Sequence, residues 1–261
     1  MGFEMWGWMH ILFILSPFVL TIILYFSCRK TTFKTKRIVG IVLSILMIAF
    51  LLARNIEIFI KNGNQIEPEI IPLQICHFAN FIILFAFIFN NKTLFSLSFC
   101  LHLPAALMSI IFADSLTNYT SWSIRGVVYL VGHMLIVGTI LWAFIADMIK
   151  ITPKVFLKTI GVMVGIYLIS NPINNLFNMW MPSFTSNFFY SIKPEAGTPL
   201  GIFWDWGTNY QSSSGWQINP IYLLCTMGLG AVVVSAFYGI YVLYYFALGR
   251  IANKRKPSVT S

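Results

Sequence analysis

A thiol and several imidazoles lie inside apolar stretches of this sequence. Cys76 and His77 lie in PLQICHFANFIILFAFIFN, and His133 lies in LVGHMLIV, 57 positions after Cys76. A cysteine attacks an ester as its thiolate, and a neighbouring imidazole makes the thiolate available by accepting the proton. His77 points about 100° away from Cys76 around a helix, so the imidazole of His133 is the better placed general base. The sequence therefore predicts a Cys76–His133 pair.

The composition indicates that this chemistry would take place in a membrane. The 261 residues are 58% hydrophobic and only 10% charged, whereas soluble domains carry about 25% charged residues. A hydrocarbon core about 30 Å thick requires roughly 20 apolar residues per helix. Seven runs meet this requirement, at 8–27, 38–60, 72–90, 93–113, 127–149, 159–180 and 219–249. We predict an all-α fold in which residues 1–261 form one bundle of seven transmembrane helices.

The basic residues predict the orientation of the bundle. Thirteen of the 17 lysines and arginines lie in the loops on one side of the spans. The positive-inside rule then places the N-terminus outside and the C-terminus in the cytoplasm. The net charge of +9 is explained by this topology and by anionic lipid, so we expect no nucleic-acid partner.

Polar side chains in several spans share one depth on the external side. At 1.5 Å per residue, they fall within the outer third to half of the bilayer. Ionisable groups at that depth are costly, so they are candidate functional residues. Arginine and asparagine could hold an oxyanion or a lipid phosphate. The candidates for substrate binding are His10, Arg54, His77, Asn171 and Asn175.

One external segment, residues 181–218, differs from the short basic loops. It is rich in aromatic residues, glycine, proline and serine. Long loops are often functional, and Trp and Tyr favour the membrane interface. We predict that this segment, called the flap below, is partly ordered and lies on the outer leaflet.

Structural interpretations compete with each of these candidates. Arg54 and Glu57 could neutralise each other on one helix face. Cys76 could be an inert packing residue or could form a disulfide with Cys225. His133 could make only a hydrogen bond between helices.

Two further interpretations concern prolines and metals. Asn174 and Asn175 could bond the backbone that Pro172 frees, and we expect the same structural role for His102 beside Pro104. A zinc site built from the histidines and Cys76 is a rival, but no tight ligand spacing is present. We predict neither a metal nor a cofactor.

The depth of the predicted pair favours one substrate class, the ester carbonyls of glycerolipids. The acyl group would pass from a membrane phospholipid to Cys76 as a thioester, and then to a lysophospholipid or to the amine of a lipoprotein. Exclusion of water would favour transfer over hydrolysis. The alternatives are a carrier or receptor that binds a small ligand or lipid without covalent chemistry, and a structural or chaperone-like membrane protein.

The chain resembles the YwaF-like integral membrane proteins, which are related to eukaryotic transmembrane acyltransferases that form polyunsaturated ether phospholipids. The stretches that carry the resemblance are MWGWMHILFIL, PLQICHFAN, LVGHMLIV, and NPINNLFNMW with KPEAGTPLGIFWDWG. The resemblance implies that Cys76 is the nucleophile and His133 the general acid and base. It also implies a lipid-headgroup contact for Lys193 and a bacterial cell membrane as the location. Gln74 departs from the bacterial pattern, which usually has His there.

Overall fold

The computed structural model describes residues 3–113, 123–195 and 198–254. Helices dominate these ranges, and the sheet they contain is one short antiparallel pair of strands. The helices are α1 (Trp8–Cys28), α2 (Phe33–Lys61), α3 (Ile75–Phe89), α4 (Lys92–Leu97), α5 (Leu103–Ile111), α6 (Ile124–Ile145), α7 (Pro153–Trp180), α8 (Leu200–Asp205) and α9 (Pro220–Lys254). The strands are β1 (Tyr210–Gln211) and β2 (Gln217–Ile218).

The predicted all-α bundle is confirmed. Within the described ranges, seven helical stretches are long and apolar enough to cross a membrane. Five of them are single helices, while the third joins a 3-10 turn at Pro68–Ile70 to α3. The fourth joins α4 and α5 through a π-helical segment at Ser98–His102. The orientation of the termini stays a prediction.

Polar side chains in the connections determine where several helices begin. The side chain of Thr32 accepts a hydrogen bond from the Thr35 amide, and that of Asn91 accepts from the Thr93 and Leu94 amides. Ser123 and Thr152 cap α6 and α7 in the same way. Such caps satisfy amides that the first helical turn leaves without a partner.

The centre of the bundle is formed by α6 and by the α4–α5 stretch. In their most apolar windows 61% and 67% of the residues are buried, compared with 22% in α1 and α9. The outer helices expose large apolar side chains such as Leu12, Val42, Leu168 and Val232. A helix that is apolar on all sides suits a position between protein and lipid.

Close packing fixes α3, which carries Cys76, against α2. A methyl group added at Gly40 would overlap the ring of Phe87, so only glycine permits this approach of the two helices. Nearby, Arg37 donates to the carbonyls of Phe87 and Ile88 at 3.0 and 2.6 Å. These bonds satisfy carbonyls at the C-terminal end of α3.

Candidate functional site

The structure brings Cys76 and His133 together between α3 and α6. The thiol and the imidazole lie close enough for their charges to interact. Cys76 stands in the first turn of α3 and is partly buried, while His133 is 9% exposed. The structure therefore places beside each other the two groups that a thiol nucleophile and its general base require.

The backbone of α6 determines which nitrogen of His133 can act as a base. Nδ1 lies 2.8 Å from the carbonyl oxygen of Tyr129. Because a carbonyl can only accept, Nδ1 carries the proton of the neutral ring, and Nε2 keeps its lone pair. The phenol of Tyr129 donates to the Ser109 carbonyl at 2.7 Å, and its ring packs on the imidazole. Nε2 is therefore the ring nitrogen that can accept a proton.

Ser109 of α5 is a third member of the site. Its hydroxyl oxygen lies 3.8 Å from the Cys76 sulfur, and the hydroxyl also bonds the Ala105 carbonyl at 3.1 Å. Ser109 could not be selected from the sequence because serine is common in spans as a partner of the backbone four residues earlier. Its place opposite Cys76 follows only from the packing of α5 on α3.

Two more polar groups of α3 border the pair. Asn80 lies one turn after Cys76 and is 4% exposed. Its Oδ1 and the Nδ1 of His77 are buried, and neither has a hydrogen-bond partner among the described residues. His77 also lies within electrostatic range of Arg54 and His133. Buried polar atoms are seldom left without a partner, so these two atoms mark a place where a ligand or water would bind.

Arg54 belongs to an ion cluster at the end of the site near the loop that follows α2. It contacts the carboxylate of Glu69, which also accepts from Arg125 at 2.9 Å. The sequence suggested that Arg54 and Glu57 could neutralise each other, whereas the structure pairs Arg54 with Glu69. Glu57 instead accepts from Lys61 at 2.5 Å, since Lys four residues after Glu is the favoured pair on a helix.

His10 is not part of this site. Its Nδ1 accepts from the Trp6 amide at 2.9 Å, and its Nε2 lies 2.9 Å from the carbonyl of Ile110. The buried ring packs against Phe3 and Trp6. Since both nitrogens are engaged, His10 fastens the start of α1 to the end of α5, and its role in substrate binding stays a prediction.

Asparagines of α7 hold the flap. Asn171 donates to the Ser191 carbonyl at 2.9 Å, and Asn175 pairs with the backbone of Gln217 in both directions, at 2.9 and 2.7 Å. Asn174 makes four bonds, all of them to Ser186, Phe188 and Ser191.

These partners lie mostly in the flap rather than in the backbone beside Pro172. The expected role of Asn171 and Asn175 in substrate binding stays a prediction. Lys193 lies exposed on the flap, and its headgroup contact also stays a prediction.

The flap reaches over the Cys76 region through two aromatic residues. The ring of Phe189 packs on Phe78, with centroids 5.8 Å apart. Burial raises the pKa of the Tyr190 phenol, and the nearby Glu195 carboxylate and Cys76 thiol raise it further. Tyr190 therefore stays protonated at neutral pH and can donate a hydrogen bond. Phe189 and Tyr190 both have positive φ, a costly conformation that is often found at functional sites.

The structural role expected for His102 is not observed. The residue ends the π-helical segment and is 1% exposed, yet both ring nitrogens find no hydrogen-bond partner in the described part of the chain. Its ring instead contacts the edge of Phe78, with centroids 6.2 Å apart.

The remaining interpretations concern disulfides and metals. All four cysteines are free thiols, so the Cys76–Cys225 disulfide is not formed. Across residues 3–113, 123–195 and 198–254, no group of three or more His, Cys, Asp or Glu side chains could hold a metal ion.

Comparison with known proteins identifies one family. The family model that matches is described as the TMEM164 family, and the match covers residues 2–238. No curated protein and no solved structure matches the chain.

Proposed function

The chain belongs to the TMEM164 family, a family of transmembrane proteins, and from this premise we propose that it is a phospholipid acyltransferase. It moves a fatty acyl chain from a phospholipid ester to a lysophospholipid or a lipoprotein amine through a thioester on Cys76. The observation that carries the proposal is the Cys76–His133 pair, whose base is directed by the Tyr129 carbonyl. The YwaF-like resemblance supports it through short motifs only.

In the first half-reaction, Nε2 of His133 takes the thiol proton and the thiolate attacks the ester carbonyl carbon. A carbon–sulfur bond forms and the carbonyl oxygen becomes an oxyanion. When this intermediate collapses, the carbon–oxygen ester bond breaks. The departing alkoxide takes the proton from His133, which leaves a lysophospholipid and an acyl group on Cys76.

In the second half-reaction, the acceptor approaches the thioester. His133 takes a proton from the acceptor hydroxyl or amine as that group attacks the acyl carbon. The carbon–sulfur bond breaks, and the proton passes from His133 to the Cys76 thiolate. The pair then returns to its starting state, so the cycle needs no cofactor.

One side chain is suited to stabilise the oxyanion. Tyr190 carries a neutral phenol within electrostatic range of the thiol, and its O–H can donate to the developing charge. Donors aimed at the developing charge are worth about a hundredfold or more in rate. The flap would also exclude water, which competes with the acceptor for the thioester.

The setting of the reaction follows from the seven spans. The protein is an integral membrane protein. The donor is a membrane phospholipid, and the positive-inside rule would place the site in the outer leaflet. The YwaF-like resemblance would make that membrane a bacterial cell membrane.

A carrier or receptor is the second candidate function. The unpartnered atoms of His77 and Asn80, within the described residues, would suit a bound ligand without any covalent chemistry. This candidate predicts that Cys76→Ser keeps ligand binding and biological function, whereas the acyltransferase loses transfer.

An acyl adduct on Cys76 is the test of the proposal. Purified protein is incubated with a phospholipid that carries a labelled acyl chain, without acceptor, and its intact mass is measured. We expect one acyl group that neutral hydroxylamine removes, because hydroxylamine cleaves thioesters. Cys76→Ala should lose the adduct and lower transfer about a thousandfold or more.

Cys225→Ala is the matched control, since Cys225 is also a partly buried free thiol in a span. It should form the adduct as the wild type does. Transfer at the wild-type rate by Cys76→Ala, or the absence of any adduct in an active preparation, would overturn the proposal.

A further inference from the structure

An apolar groove lies between α2 and α3 on the surface of the bundle. It has a volume of about 420 Å³ and is lined by nine apolar side chains and Asn55. One wall is a stripe of α2 from Ile48 to Phe59, and the loop after α2 and Phe81 of α3 complete it. Such a lining suits an acyl chain.

Asn55 connects this groove to the ion cluster at its wall. Its Oδ1 accepts from Arg54 at 3.1 Å, and its Nδ2 donates to the Ile70 carbonyl at 2.7 Å. Ile70 also lines the groove, and the neighbouring Glu69 carboxylate binds both Arg54 and Arg125. The groove and the two guanidinium groups are therefore parts of one surface.

Two arginines that share one carboxylate present the geometry that also binds a phosphate. A guanidinium group forms parallel hydrogen bonds with the oxygens of either anion. The Glu69 side chain is 37% exposed, more than those of Arg54 and Arg125 at 12% and 23%. It sits on a 3-10 turn of three residues, so it can leave the arginines without disturbing a long helix.

We propose that the phosphodiester of the phospholipid donor binds between Arg54 and Arg125 in place of the Glu69 carboxylate, with its non-transferred acyl chain in the α2–α3 groove. The assignment of that lipid as the acyl donor rests on the proposed function. Phe81 and Cys76 lie about 140° apart around α3, so the chain in the groove is not the one that reaches the thiol. His77 lies within electrostatic range of both Arg54 and His133, so the proposed phosphate site and the Cys76–His133 pair are near each other.

Binding of a lipid that cannot react tests this inference apart from the chemistry. The probe is a fluorescent phosphoglycerol lipid with two ether-linked chains, and its affinity for Cys76→Ala in detergent is measured by anisotropy. Arg125→Gln in that background should weaken binding about tenfold, the value of a charged hydrogen bond. Glu69→Gln should tighten binding several-fold because a competing anion has been removed.

The expected result for Glu69→Gln separates displacement from a scaffolding role. A carboxylate that only holds the arginines in place would give weaker binding when it is neutralised, and that result would overturn the inference. Lys61→Gln is the matched control, since Lys61 lies near the end of α2, the helix that carries Arg54, and pairs with Glu57 instead of Glu69. It should leave the affinity unchanged.

Groove variants keep the test decisive if a charge variant unfolds. Leu52 lines the groove and Ile45 lies two turns away on the same face of α2, and each is 54% exposed. Leu52→Trp should weaken probe binding several-fold, whereas Ile45→Trp should not. Equal effects of the two substitutions on probe binding would show that the acyl chain does not lie in the groove.

Competitors identify the source of the phosphate. The unlabelled ether phospholipid should displace the probe. A dialkylglycerol without phosphate should need about a tenfold higher concentration to displace it. Displacement by inorganic phosphate at the same concentration as the lipid would instead indicate a site for the free anion and overturn the lipid assignment. Intact probe binding with no adduct on wild-type Cys76 would reject the proposed function and leave this site standing.

Discussion

At the scale of single residues, the proposed acyl transfer depends on the tautomer and orientation of His133. Its Nδ1–H is committed to the Tyr129 carbonyl, so Nε2 is the only ring atom left to exchange a proton with Cys76. A side chain that fills the same space without accepting a proton should stop acyl transfer and leave the fold intact.

His133→Gln tests this role. We expect the rate of acyl transfer to fall by about a hundredfold or more, the usual contribution of a general base. Binding of the ether phospholipid probe and the thermal unfolding midpoint should change little. A parallel loss of lipid binding or folding would show that His133 acts through the structure rather than through proton transfer.

Asn80 and Asn174 are both buried asparagines, yet we expect their replacement by leucine to have opposite effects on stability. Asn174 makes four hydrogen bonds to the flap, while Oδ1 of Asn80 has no partner within the described ranges. Asn80→Leu should therefore raise the free energy of unfolding by about 1 kcal/mol and lower acyl transfer. Asn174→Leu should lower the free energy of unfolding by about 2 kcal/mol or more.

Unfolding of both variants in the same detergent provides the comparison. A loss of stability in Asn80→Leu would mean that the amide has a structural partner, and it would remove the reason to place a ligand beside it.

The sequence predicted the proximity of Cys76 and His133 better than it predicted the residues around them. Cys76 and His133 could be selected because ionisable groups are rare in spans and these two share a depth. Glu69 and Tyr190 were missed because they lie in connections, where charged and aromatic residues are ordinary. Their contacts depend on how loops fold back over the bundle, which periodicity does not encode.

At the scale of elements, the approach of α2 to α3 positions the nucleophile. Gly40 faces the Phe87 ring so closely that even a methyl group would overlap it. Gly40→Ala should push α3 away and lower the free energy of unfolding by about 1–3 kcal/mol, the usual cost of overpacking. Because α3 carries Cys76, the yield of the acyl adduct should fall as well.

Gly161→Ala is the control for Gly40→Ala, because a methyl group there meets nothing within 4 Å. It should leave the adduct unchanged and the stability equal or up to about 1 kcal/mol higher. Thermal unfolding in detergent measures both variants, and equal stability of the two would show that the α2–α3 contact is loose.

The π-helical segment shows what hydropathy cannot predict at this scale. The fourth span was expected as one apolar run, and the run is present, but Ser98–His102 winds more widely than an α-helix. One widened turn changes which side chains face the core without changing composition. His102 ends this segment and is buried, and neither ring nitrogen bonds the backbone near Pro104 within the described residues. The structural role expected for His102 was therefore wrong.

At the scale of the whole molecule, the number of spans was predictable and their arrangement was not. A hydrocarbon core requires runs of apolar residues of a fixed length, and seven such runs can be counted in the sequence. The mean hydropathy of α1 is 2.4 and that of α6 is 2.1, yet 22% and 61% of their apolar windows are buried. Lipid and protein interior are equally apolar, so hydropathy does not identify the central helix.

The orientation of the bundle decides which leaflet would supply the substrate of the proposed reaction. With seven spans the two termini lie on opposite sides, and thirteen basic residues place the C-terminus in the cytoplasm. A fluorescent protein fused to the C-terminus should fluoresce, while alkaline phosphatase at the same position should be inactive because it matures only outside the cytoplasm. Phosphatase inserted in the flap should be active. The reverse pattern would turn Cys76 and His133 toward the inner leaflet, and the donor would then have to be a cytoplasmic-face phospholipid.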